Sequence, residues 1–440
     1  MNILQLTPGA GTMYCGNCLR DNALVAALRD MGHDVLMVPL YLPLTLDETD
    51  QSAGTPVFFS GINVYLDQQS TWFRNAPRWL RHLLSSTMLL KWAARFSAKT
   101  RAETLGPLTL SMLHGENGNQ AAELNDLISW LKTQPAPDLI FLSNALLLGM
   151  GKRLKQALNR PLVCMLQGED YFLDSLPEGH RQACWETLAK RAVDADLFIA
   201  PSRYFGQLMQ TRLAVGAERV RVVYNGISLE GYENTSENSG RASGASASPP
   251  VLGYLARMCR EKGLHTLVRS FIELRKKAQV PQLKLCVAGS LGPNDEPLVR
   301  ELRRELDQAG LGQDASFHPN IDRATKLSLL QSFTVFSVPA LYGEAFGLYV
   351  IEALAAGVPV VQPATAAFPE LIELTGGGIL CEPGNSSALA EAIETLLLDT
   401  RKARQLGVSG RRAVFEQFTA EAMAQHLLEA VKNLECCAAR

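Results

Sequence analysis

Two successive runs of alternating apolar and amphipathic segments constrain the fold of this chain more than any other feature. The first run contains five short apolar segments that predict strands buried on both faces. These are Ile3–Leu6, Val35–Val38, Leu139–Leu142, Leu162–Leu166 and Leu197–Ala200. Helix-length segments such as Asn22–Met31 and Leu146–Leu158 lie between most of them. This alternation predicts a parallel sheet covered by helices.

A stretch of small and polar residues then interrupts the pattern, because residues 234–250 read NTSENSGRASGASASPP. Such a composition cannot bury a core and predicts a flexible connection. The alternation resumes with five further predicted strands. These are Val251–Leu255, Leu283–Ala288, Val335–Val338, Val358–Val361 and Gly378–Leu380. The 440 residues are therefore expected to form two α/β domains, with ligands beyond the carboxyl ends of the strands in a cleft where the domains face each other.

The composition excludes several classes of protein. A net charge of −2 gives no sign of a nucleic-acid partner. No apolar run has the length of a membrane-spanning helix, and the first residues lack the basic region of a signal peptide. The nine cysteines show no disulfide framework, which predicts a cytoplasmic protein. Cys15 and Cys18 form a C-x-x-C pair that is a redox dithiol, half of a zinc site, or part of a small-residue loop.

The most informative motif is GEAFGLYVIEALAAGVPV at residues 343–360, a glycine-rich turn followed by a helix. The start of this helix, near Gly347, presents free N–H groups and a positive dipole end, which suit phosphate. Glu344 precedes the helix and Glu352 lies inside it, and each carboxylate can accept bonds from two sugar hydroxyls. The alternative is a surface helix with two solvated glutamates.

A second motif places two cations on a strand-to-helix connection. The predicted strand Val251–Leu255 is followed by Arg257 and, before the next helix, by Lys262. Each alone would be an ordinary surface cation. Together, at the edge where a ligand is expected, they can neutralise a diphosphate leaving group without a metal.

In order and spacing, these motifs resemble the donor domain of the retaining glycosyltransferases of family 4, which have the GT-B fold of two Rossmann-like domains. The matching pieces are Gly253–Gly263, Val287–Gly289, Phe317–Leu330, Glu344–Glu352, Pro369–Ile372 and Gly376–Gly384. The first domain is matched more weakly. Its matching pieces are Cys15–Gly16, Gly32–Val35, Asp196–Ser202 and Asn225–Ile227.

The resemblance implies the division of the chain. We expect an N-terminal acceptor-side domain at residues 1–232, a Ser/Gly-rich linker at 233–249 and a C-terminal donor-binding domain at 250–416. Chains of this type usually end in a helix that returns to the first domain. The periodicity of Thr419–Leu434 is typical of such a helix, so residues 417–440 are expected to pack on the N-terminal domain.

The resemblance also implies a metal-independent enzyme that moves a sugar from a nucleotide-sugar to an acceptor, with no cofactor. Arg257 and Lys262 would hold the donor diphosphate, Glu344 would contact the transferred sugar, and Glu352 would bind the ribose hydroxyls. The remaining donor contacts would come from backbone groups. These belong to Phe346, Gly347 and Leu348 near sugar and phosphate, and to Gly16 in a loop of the first domain.

The acceptor side departs from the family. Many members have a histidine in the loop that corresponds to residues 166–170, whereas this chain reads Gln167-Gly168-Glu169-Asp170. Gln167 can still donate a hydrogen bond, and Glu169 or Asp170 could orient an acceptor. His114 and Glu116, in a polar glycine-bearing run, are further candidates, with an ordinary loop role as the alternative. The acceptor is expected to be a saccharide, a lipid-linked sugar or a small molecule.

The segment 68–102 contains seven Lys or Arg residues, no Asp or Glu, and three of the five tryptophans. A basic helix that carries tryptophan could lie on an anionic membrane surface, at the inner face of the membrane. The alternative is a packed helical hairpin beside the acceptor.

Two other functions compete with this interpretation. A nicotinamide-dependent oxidoreductase would need G-x-G-x-x-G after the first strand, and Gly9–Tyr14 lacks the third glycine. A GT-B nucleotide-sugar epimerase, or a non-catalytic nucleotide-sugar-binding protein, would use the same donor motifs and remains the alternative.

Overall fold

A computed structural model describes residues 1–9, 16–70, 102–233 and 249–438. The chain forms two compact units, Met1–Tyr224 with Met423–Arg440, and Asn225–Ala422. Within the described residues, each unit contains one six-stranded sheet in which every paired strand is parallel. The predicted fold class, an α/β protein with two Rossmann-like sheets, is confirmed.

The first sheet has β1 near one edge and continues away from it through the later strands. Its strands are β1 (Asn2–Pro8), β2 (Asp34–Leu40), β3 (Leu139–Leu142), β4 (Leu162–Met165), β5 (Leu197–Ala200) and β6 (Val220–Val222). The spatial order is β2-β1-β3-β4-β5-β6. Strand β2 is thus added on one side of β1, and β3 and the later strands are added on the other side. The boundary between β1 and β3 is the switch point, where sheets of this kind bind ligands.

The helices of the first unit cover this sheet. They are α1 (Gly16–Asp30), α2 (Gly61–Gln69), α3 (Ala102–Leu113), α4 (Ala121–Leu131), α5 (Gly151–Leu158), α6 (Glu169–Asp174), α7 (Glu178–Arg191) and α8 (Arg203–Leu213). The predicted helix Leu146–Leu158 is in fact a 3-10 segment, Ala145–Met150, followed by α5. Its start is fixed by Asn144, whose side chain accepts a hydrogen bond from the Leu146 N–H at 3.1 Å.

The second sheet has a related order, with its first strand in the interior. Its strands are β7 (Val251–Leu255), β8 (Lys284–Gly289), β9 (Ala315–Pro319), β10 (Val335–Phe336), β11 (Val360–Pro363) and β12 (Gly378–Cys381). The spatial order is β12-β11-β10-β7-β8-β9, so the switch point lies between β7 and β10. Strands β6 and β9 were not predicted, because each is a partly exposed edge strand without a continuous apolar run.

The second unit carries helices on both sides of its sheet. They are α9 (Leu264–Lys277), α10 (Glu296–Gln308), α11 (Arg323–Ser332), α12 (Leu348–Ala355), α13 (Phe368–Thr375), α14 (Ser386–Leu398) and α15 (Thr400–Gln417). The last helix, α16 (Ala420–Ala438), belongs to the first unit from Met423 onward. Among the helices that the structure describes, none is both long and apolar enough to cross a bilayer.

The division between the units falls after Tyr224 rather than after residue 232. The segment that follows Tyr224 is tied to the second unit, because Ile227 forms an isolated parallel bridge with Thr419. Tyr232 is buried, and its carbonyl accepts a hydrogen bond from the Arg411 guanidinium at 2.9 Å. Of the expected linker 233–249, residues 234–248 lie outside the described residues.

Candidate active site

The structure brings three of the predicted residues to the switch point of the second sheet. Arg257 and Lys262 lie in the connection that follows β7, and Glu344 lies in the segment that follows β10. Because β7 and β10 are parallel neighbours, their carboxyl ends open at the same edge of the sheet. This edge is where an open α/β sheet binds its ligand.

Lys262 and Glu344 form an ion pair between Nζ and Oε2, with 18% and 13% of the side chains exposed. The hydroxyls of Tyr342 and Tyr349 donate to the same oxygen at 3.2 and 2.8 Å. The Lys262 ammonium lies 4.9 and 5.0 Å from the centroids of these two rings, so aromatic faces hold the cation as well. No described residue donates a hydrogen bond to Oε1 of Glu344, which is thus available to a ligand hydroxyl.

Burial raises the pKa of Tyr349 well above its usual value, and the neighbouring Glu344 charge raises it further. Its hydroxyl therefore stays protonated and remains a hydrogen-bond donor at neutral pH. Two neutral donors and one cation converge on a single carboxylate oxygen. This arrangement holds the carboxylate in one orientation with little freedom to rotate.

The backbone explains why Lys262 meets Glu344. Gly263 has a φ of +71°, and a Cβ there would lie 1.8 Å from the carbonyl oxygen of Pro339. The Leu341 N–H donates to the carbonyl of Glu261 at 2.9 Å. Only glycine permits the connection after β7 to approach the segment after β10 this closely.

Helix α12 begins beside Glu344, with Gly347 at its N-cap in a left-handed conformation (φ +96°). Leu348 is the first helical residue, and the Phe346 ring is buried 6.1 Å from the Phe418 ring. The first N–H groups of any helix have no partner within it. Phe346, Gly347 and Leu348 thus lie at an edge suited to a phosphate or a sugar oxygen, and their backbone contacts with a donor stay predictions.

Glu352 lies one turn inside α12 and pairs with a residue that the sequence did not indicate. Its Oε1 is 3.0 Å from Nζ of Lys326 on α11, with 17% and 12% of these side chains exposed. Glu352 therefore faces a different cation from Glu344. The two glutamates are thus held by separate cations, and their roles in ligand binding stay predictions.

Arg257 is also held by a carboxylate. Its Nε and Nη2 donate to Oδ2 and Oδ1 of Asp295 at 2.7 and 3.3 Å. Burial on its own would lower the pKa of Arg257, but the hydrogen bond and charge of Asp295 more than offset this and raise it. Arg257 is thus a permanent cation with half of its side chain exposed.

In the first unit, the predicted loop 167–170 lies at the carboxyl end of β4. Glu169 is buried, and its two carboxylate oxygens accept bonds from the N–H groups of Ala145 at 2.7 Å and Gln167 at 2.8 Å. Burial raises the pKa of Glu169 despite these bonds. Its carboxylate fixes the loop and has little capacity left for an acceptor.

Asp170 differs from its neighbour, because its buried Oδ1 has no hydrogen-bond partner among the residues that the structure describes. Burial raises the pKa of this carboxyl group. Of the two acidic candidates in the loop, Asp170 therefore keeps a free acceptor atom. Gln167 is half-buried, and its side chain adds a donor beside it.

His114 and Glu116 are placed elsewhere in the first unit. Glu116 is 3.0 Å from Arg191 and 3.1 Å from Lys152, and the carbonyl of the exposed His114 also accepts a bond from Arg191. Burial on its own would raise the pKa of Glu116, but the bonds from both cations hold it at about 2. Arg191 ends the helix that precedes β5, so this cluster lies toward the amino edge of the sheet, away from loop 167–170. An acceptor role for either residue stays a prediction.

The first switch point, between β1 and β3, contains a buried ion pair that the sequence did not reveal. Arg20 and Asp21 on α1 are 2.9 Å apart and fully buried. Arg20 also donates to the Ser143 carbonyl and to Sδ of Met165, each at 3.1 Å, and Thr7 donates to Asp21 at 2.9 Å. These bonds tie α1 to the ends of β1, β3 and β4.

Gly16 is the first residue of α1 and is exposed, while the Cys18 thiol is buried and donates to the carbonyl of Pro8. Cys15 and the rest of the loop 10–15 lie outside the described residues, as does nearly all of the basic insert 68–102. In the described part of the chain, no cluster of three or more His, Cys, Asp or Glu side chains could hold a metal ion. The diphosphate contact expected for Gly16 stays a prediction.

A cavity of about 770 Å³ lies at the opposite, amino edge of the first sheet, where Arg29, His33 and Asp34 line it. It contains none of the predicted site residues. Parallel α/β sheets bind ligands at the carboxyl edge. We therefore place the candidate site at the switch point of the second sheet and not in this cavity.

Two family models match separate parts of the chain, and together they cover more than two thirds of it. "Glycosyl transferases group 1" matches residues 236–413, and "Glycosyltransferase Family 4" matches residues 101–230. The chain belongs to the group 1 glycosyltransferases of family 4. The predicted enzyme class is thereby confirmed.

Curated relatives and solved structures agree with this assignment. Alpha-maltose-1-phosphate synthase of Mycolicibacterium smegmatis is 27% identical over 274 residues, which cover 59% of this chain and 69% of the relative. Two further relatives are matched over only 54% and 43% of their own length.

The solved structures are similar over nearly the whole chain. Sucrose-phosphate synthase from Thermosynechococcus elongatus has a TM-score of 0.73 at 21% identity, covering 99% of this chain and 100% of that one. Anabaena HepE in complex with UDP and glucose has a TM-score of 0.67 at 22% identity, covering 98% and 99%. At such identities the likeness shows the fold alone, and it confirms the GT-B class.

Proposed function

We propose that this glycosyltransferase moves a sugar from a nucleoside-diphosphate-sugar to an acceptor hydroxyl, with retention at the anomeric carbon. One observation carries the proposal. The cations Arg257 and Lys262, the N-terminus of α12 and the carboxylate of Glu344 are all placed at the switch point between β7 and β10. Such a site binds an anion next to a polyhydroxyl group.

In this mechanism, the C–O bond between the sugar and the diphosphate breaks as the acceptor oxygen bonds to the same face of the anomeric carbon. The two electrons of the broken bond go to the leaving diphosphate. Arg257, Lys262 and the N–H groups at the start of α12 stabilise this developing charge. A leaving phosphate oxygen takes the acceptor proton, so no protein base is required.

The two glutamates divide the remaining binding. We propose that Oε1 of Glu344 accepts a hydroxyl of the transferred sugar, since the other oxygen is held by Lys262 and two tyrosines. We assign the ribose hydroxyls to Glu352, which Lys326 holds one turn further along α12. Each carboxylate is oriented before the donor arrives, which lowers the entropy lost on binding.

The substrates follow from the same reasoning. HepE is described in complex with UDP and glucose, and we propose a nucleotide-sugar donor and a sugar-bearing acceptor for this chain too. We expect the first domain to contribute Gly16 to the donor, and Gln167 and Asp170 to the acceptor. We further propose that no metal is needed, because fixed cations supply the positive charge.

A product assay tests the proposal. Nucleotide-sugars of uridine, guanosine and adenosine diphosphate are first screened for thermal stabilisation, because a ligand that binds only the folded state raises the melting temperature. The best donor is then incubated with sugar acceptors, in the presence and absence of a chelator. We expect a glycosylated product whose anomeric coupling constant matches that of the donor, with or without chelator. An inverted product, or a stereoisomer of the donor alone, would contradict the proposal.

We also propose that the basic insert 68–102 contacts an anionic membrane surface, which would suit a lipid-linked acceptor. Its seven cations and absence of acidic residues support this. The protein should then sediment with vesicles that contain phosphatidylglycerol and less so as salt rises, but not with phosphatidylcholine vesicles. The triple change of Arg78, Arg81 and Arg95 to Glu should abolish sedimentation. Equal binding to both vesicles, or binding to neither, would contradict the membrane proposal and favour a packed hairpin.

A further inference from the structure

Asp295 stands at the N-terminus of α10 without capping that helix. Its backbone is helical (φ −96°, ψ −16°), and its carboxylate accepts no N–H of α10. Aspartate is favoured at this position because its carboxylate can accept those N–H groups. The same unit uses it in that way elsewhere: Asp322 caps α11 and Asp399 caps α15, with bonds of 2.8 and 2.9 Å. The Asp295 carboxylate is therefore committed to another partner.

That partner is Arg257. The carboxylate bonds Nε at 2.7 Å and Nη2 at 3.3 Å, which is a two-point contact along one edge of the guanidinium. Asp295 has 10% of its side chain exposed and Arg257 has 49%, so the anchor is buried while the cation stays accessible. A guanidinium has five N–H donors, and this contact uses two. Of the other three, one on Nη1 and one on Nη2 point along the outer Nη1–Nη2 edge, where Nη1 bonds to no described residue.

The main chain around Arg257 is fixed as well. Its carbonyl accepts a hydrogen bond from the hydroxyl of the buried Tyr254 at 2.7 Å. The next residue, Met258, donates its N–H to the carbonyl of Ser290 at 2.9 Å, so the connection after β7 is joined to the one after β8. Asp295 lies on this second connection. Backbone and side chain of Arg257 are thus both held before any ligand binds.

We propose that Asp295 is a positioning residue that turns the outer Nη1–Nη2 edge of Arg257 toward the diphosphate of the donor. The inference rests on the proposed function, in which Arg257 binds that diphosphate. A free arginine side chain would lose its rotational freedom on binding, whereas a guanidinium already fixed by Asp295 loses little. The planar fork also matches phosphate geometry only when it is correctly oriented.

The direction in which Asp295→Asn changes diphosphate affinity distinguishes a positioning role of Asp295 from a purely electrostatic one. Asp295 is an anion beside the expected anion site, so a purely electrostatic role predicts that Asp295→Asn tightens diphosphate binding. Positioning predicts the reverse. We expect Asp295→Asn to weaken the affinity for the nucleoside diphosphate about tenfold and to lower kcat more than it raises KM, as expected for a misplaced electrostatic donor. An affinity that is equal or tighter would overturn the proposal.

A double-mutant cycle shows whether the effect passes through Arg257. Affinities are measured by calorimetry for wild type, Asp295→Asn, Arg257→Ala and the double variant, using UDP, GDP or ADP, whichever binds wild type most tightly. In the Arg257→Ala background, Asp295→Asn should have no further effect. An undiminished effect in that background would show a role independent of Arg257 and would overturn the proposal. If wild type binds none of the three, the proposed function itself fails.

Matched controls come from the same region. Glu301 on α10 pairs with Arg260 at 3.4 Å, with more than half of each side chain exposed. Glu301→Gln therefore removes one negative charge and one arginine contact nearby, and it should leave affinity and kcat unchanged. If Asp295→Asn folds poorly, Asp295→Ser replaces it, because serine can cap α10 but cannot form the fork. A folded Asp295→Ser variant with wild-type affinity would equally refute positioning.

Discussion

The two sheets have the same number of strands and the same parallel pairing, yet charge is placed at their switch points in opposite ways. Between β1 and β3, Arg20 and Asp21 are fully buried against each other and form further bonds to groups at the strand ends. Between β7 and β10, Arg257 is half exposed, while Lys262 and Glu344 remain partly accessible. One switch point uses charge to join elements, and the other keeps charged groups accessible.

The difference shows that position in the fold does not by itself identify a binding group. Both switch points satisfy the topological rule for ligand sites. What separates them is whether the ion pairs keep unused donors and acceptors at an accessible surface. Arg257 keeps its outer edge and Glu344 keeps Oε1, whereas Arg20 is enclosed. The comparison predicts that changes at the first switch point affect stability and changes at the second affect turnover.

Asp21→Ala should cause the largest change in free energy, and that change should be a loss of stability. Removing one partner of a buried ion pair leaves Arg20 charged and uncompensated, at a cost of about 3–5 kcal/mol in the free energy of unfolding. Chemical denaturation followed by circular dichroism measures this loss. The double change Arg20→Met with Asp21→Leu should recover most of it, because no isolated charge remains. Should Asp21→Ala prove as stable as wild type, the pair would not join these elements.

Lys262→Ala should act on turnover instead. Loss of one preorganised cation at the leaving group should lower kcat about a hundredfold, or about 2.7 kcal/mol. The free energy of unfolding should fall by less than for Asp21→Ala, since Tyr342 and Tyr349 still donate to Glu344 and the pair is partly accessible. Steady-state kinetics and denaturation on the same preparation measure both. A variant with normal kcat but reduced stability would show that charge at the second switch point also serves to stabilise the fold, as at the first.

The sequence predicted the strands correctly where both faces of the strand are buried. Strands such as Leu139–Leu142 and Leu197–Ala200 agree with the structure because each is a continuous apolar run. Helix α1 was predicted only from Asn22, whereas in the structure it begins at Gly16. Its first turns bury polar residues, including Arg20 and Asp21. Polar residues buried in this way give no amphipathic pattern.

For the candidate site, the sequence indicated the residues within short motifs but not their long-range partners. Arg257, Lys262, Glu344 and Glu352 lie in short motifs with glycine turns, so sequence alone indicated them. Their partners are Asp295, just before α10, and Lys326, on α11, and the fold alone brings each of them to its partner. Asp295 in particular reads as an ordinary cap before Glu296 and Pro297. Long-range pairs of this kind leave no local signal.

A smaller effect should separate the two glutamates. Glu344→Gln keeps the size of the side chain but weakens the acceptor for the sugar hydroxyl, so we expect about a tenfold lower kcat with nucleoside diphosphate affinity nearly unchanged. Glu352→Gln should instead weaken that affinity about tenfold, roughly 1.4 kcal/mol, as for a charged hydrogen bond. Calorimetry and initial rates provide the two values. The opposite pattern would exchange the assigned roles within the second site.

The smallest effect concerns Glu116, which serves as a test within the first unit. Its carboxyl pKa is about 2 in the folded chain and near 4.5 when unpaired. Its contribution to stability is therefore complete above about pH 4.5 and is lost as the pH falls toward 2. Between these values, the melting temperature of wild type should fall more steeply than that of Glu116→Gln, by an amount equivalent to about 1 kcal/mol. Parallel curves would show that the cluster with Arg191 and Lys152 does not stabilise the unit.

Hydrogen–deuterium exchange with and without a nucleoside diphosphate tests most directly the claim that the second switch point is the donor site. The ligand is whichever of UDP, GDP and ADP raises the melting temperature most. We predict slower exchange at residues 256–263 and 343–352, which contain the cations and the start of α12, with no slowing at Arg29–Leu36 beside the cavity of the first sheet. Slower exchange at Arg29–Leu36, with unchanged exchange in both segments of the second unit, would contradict the account.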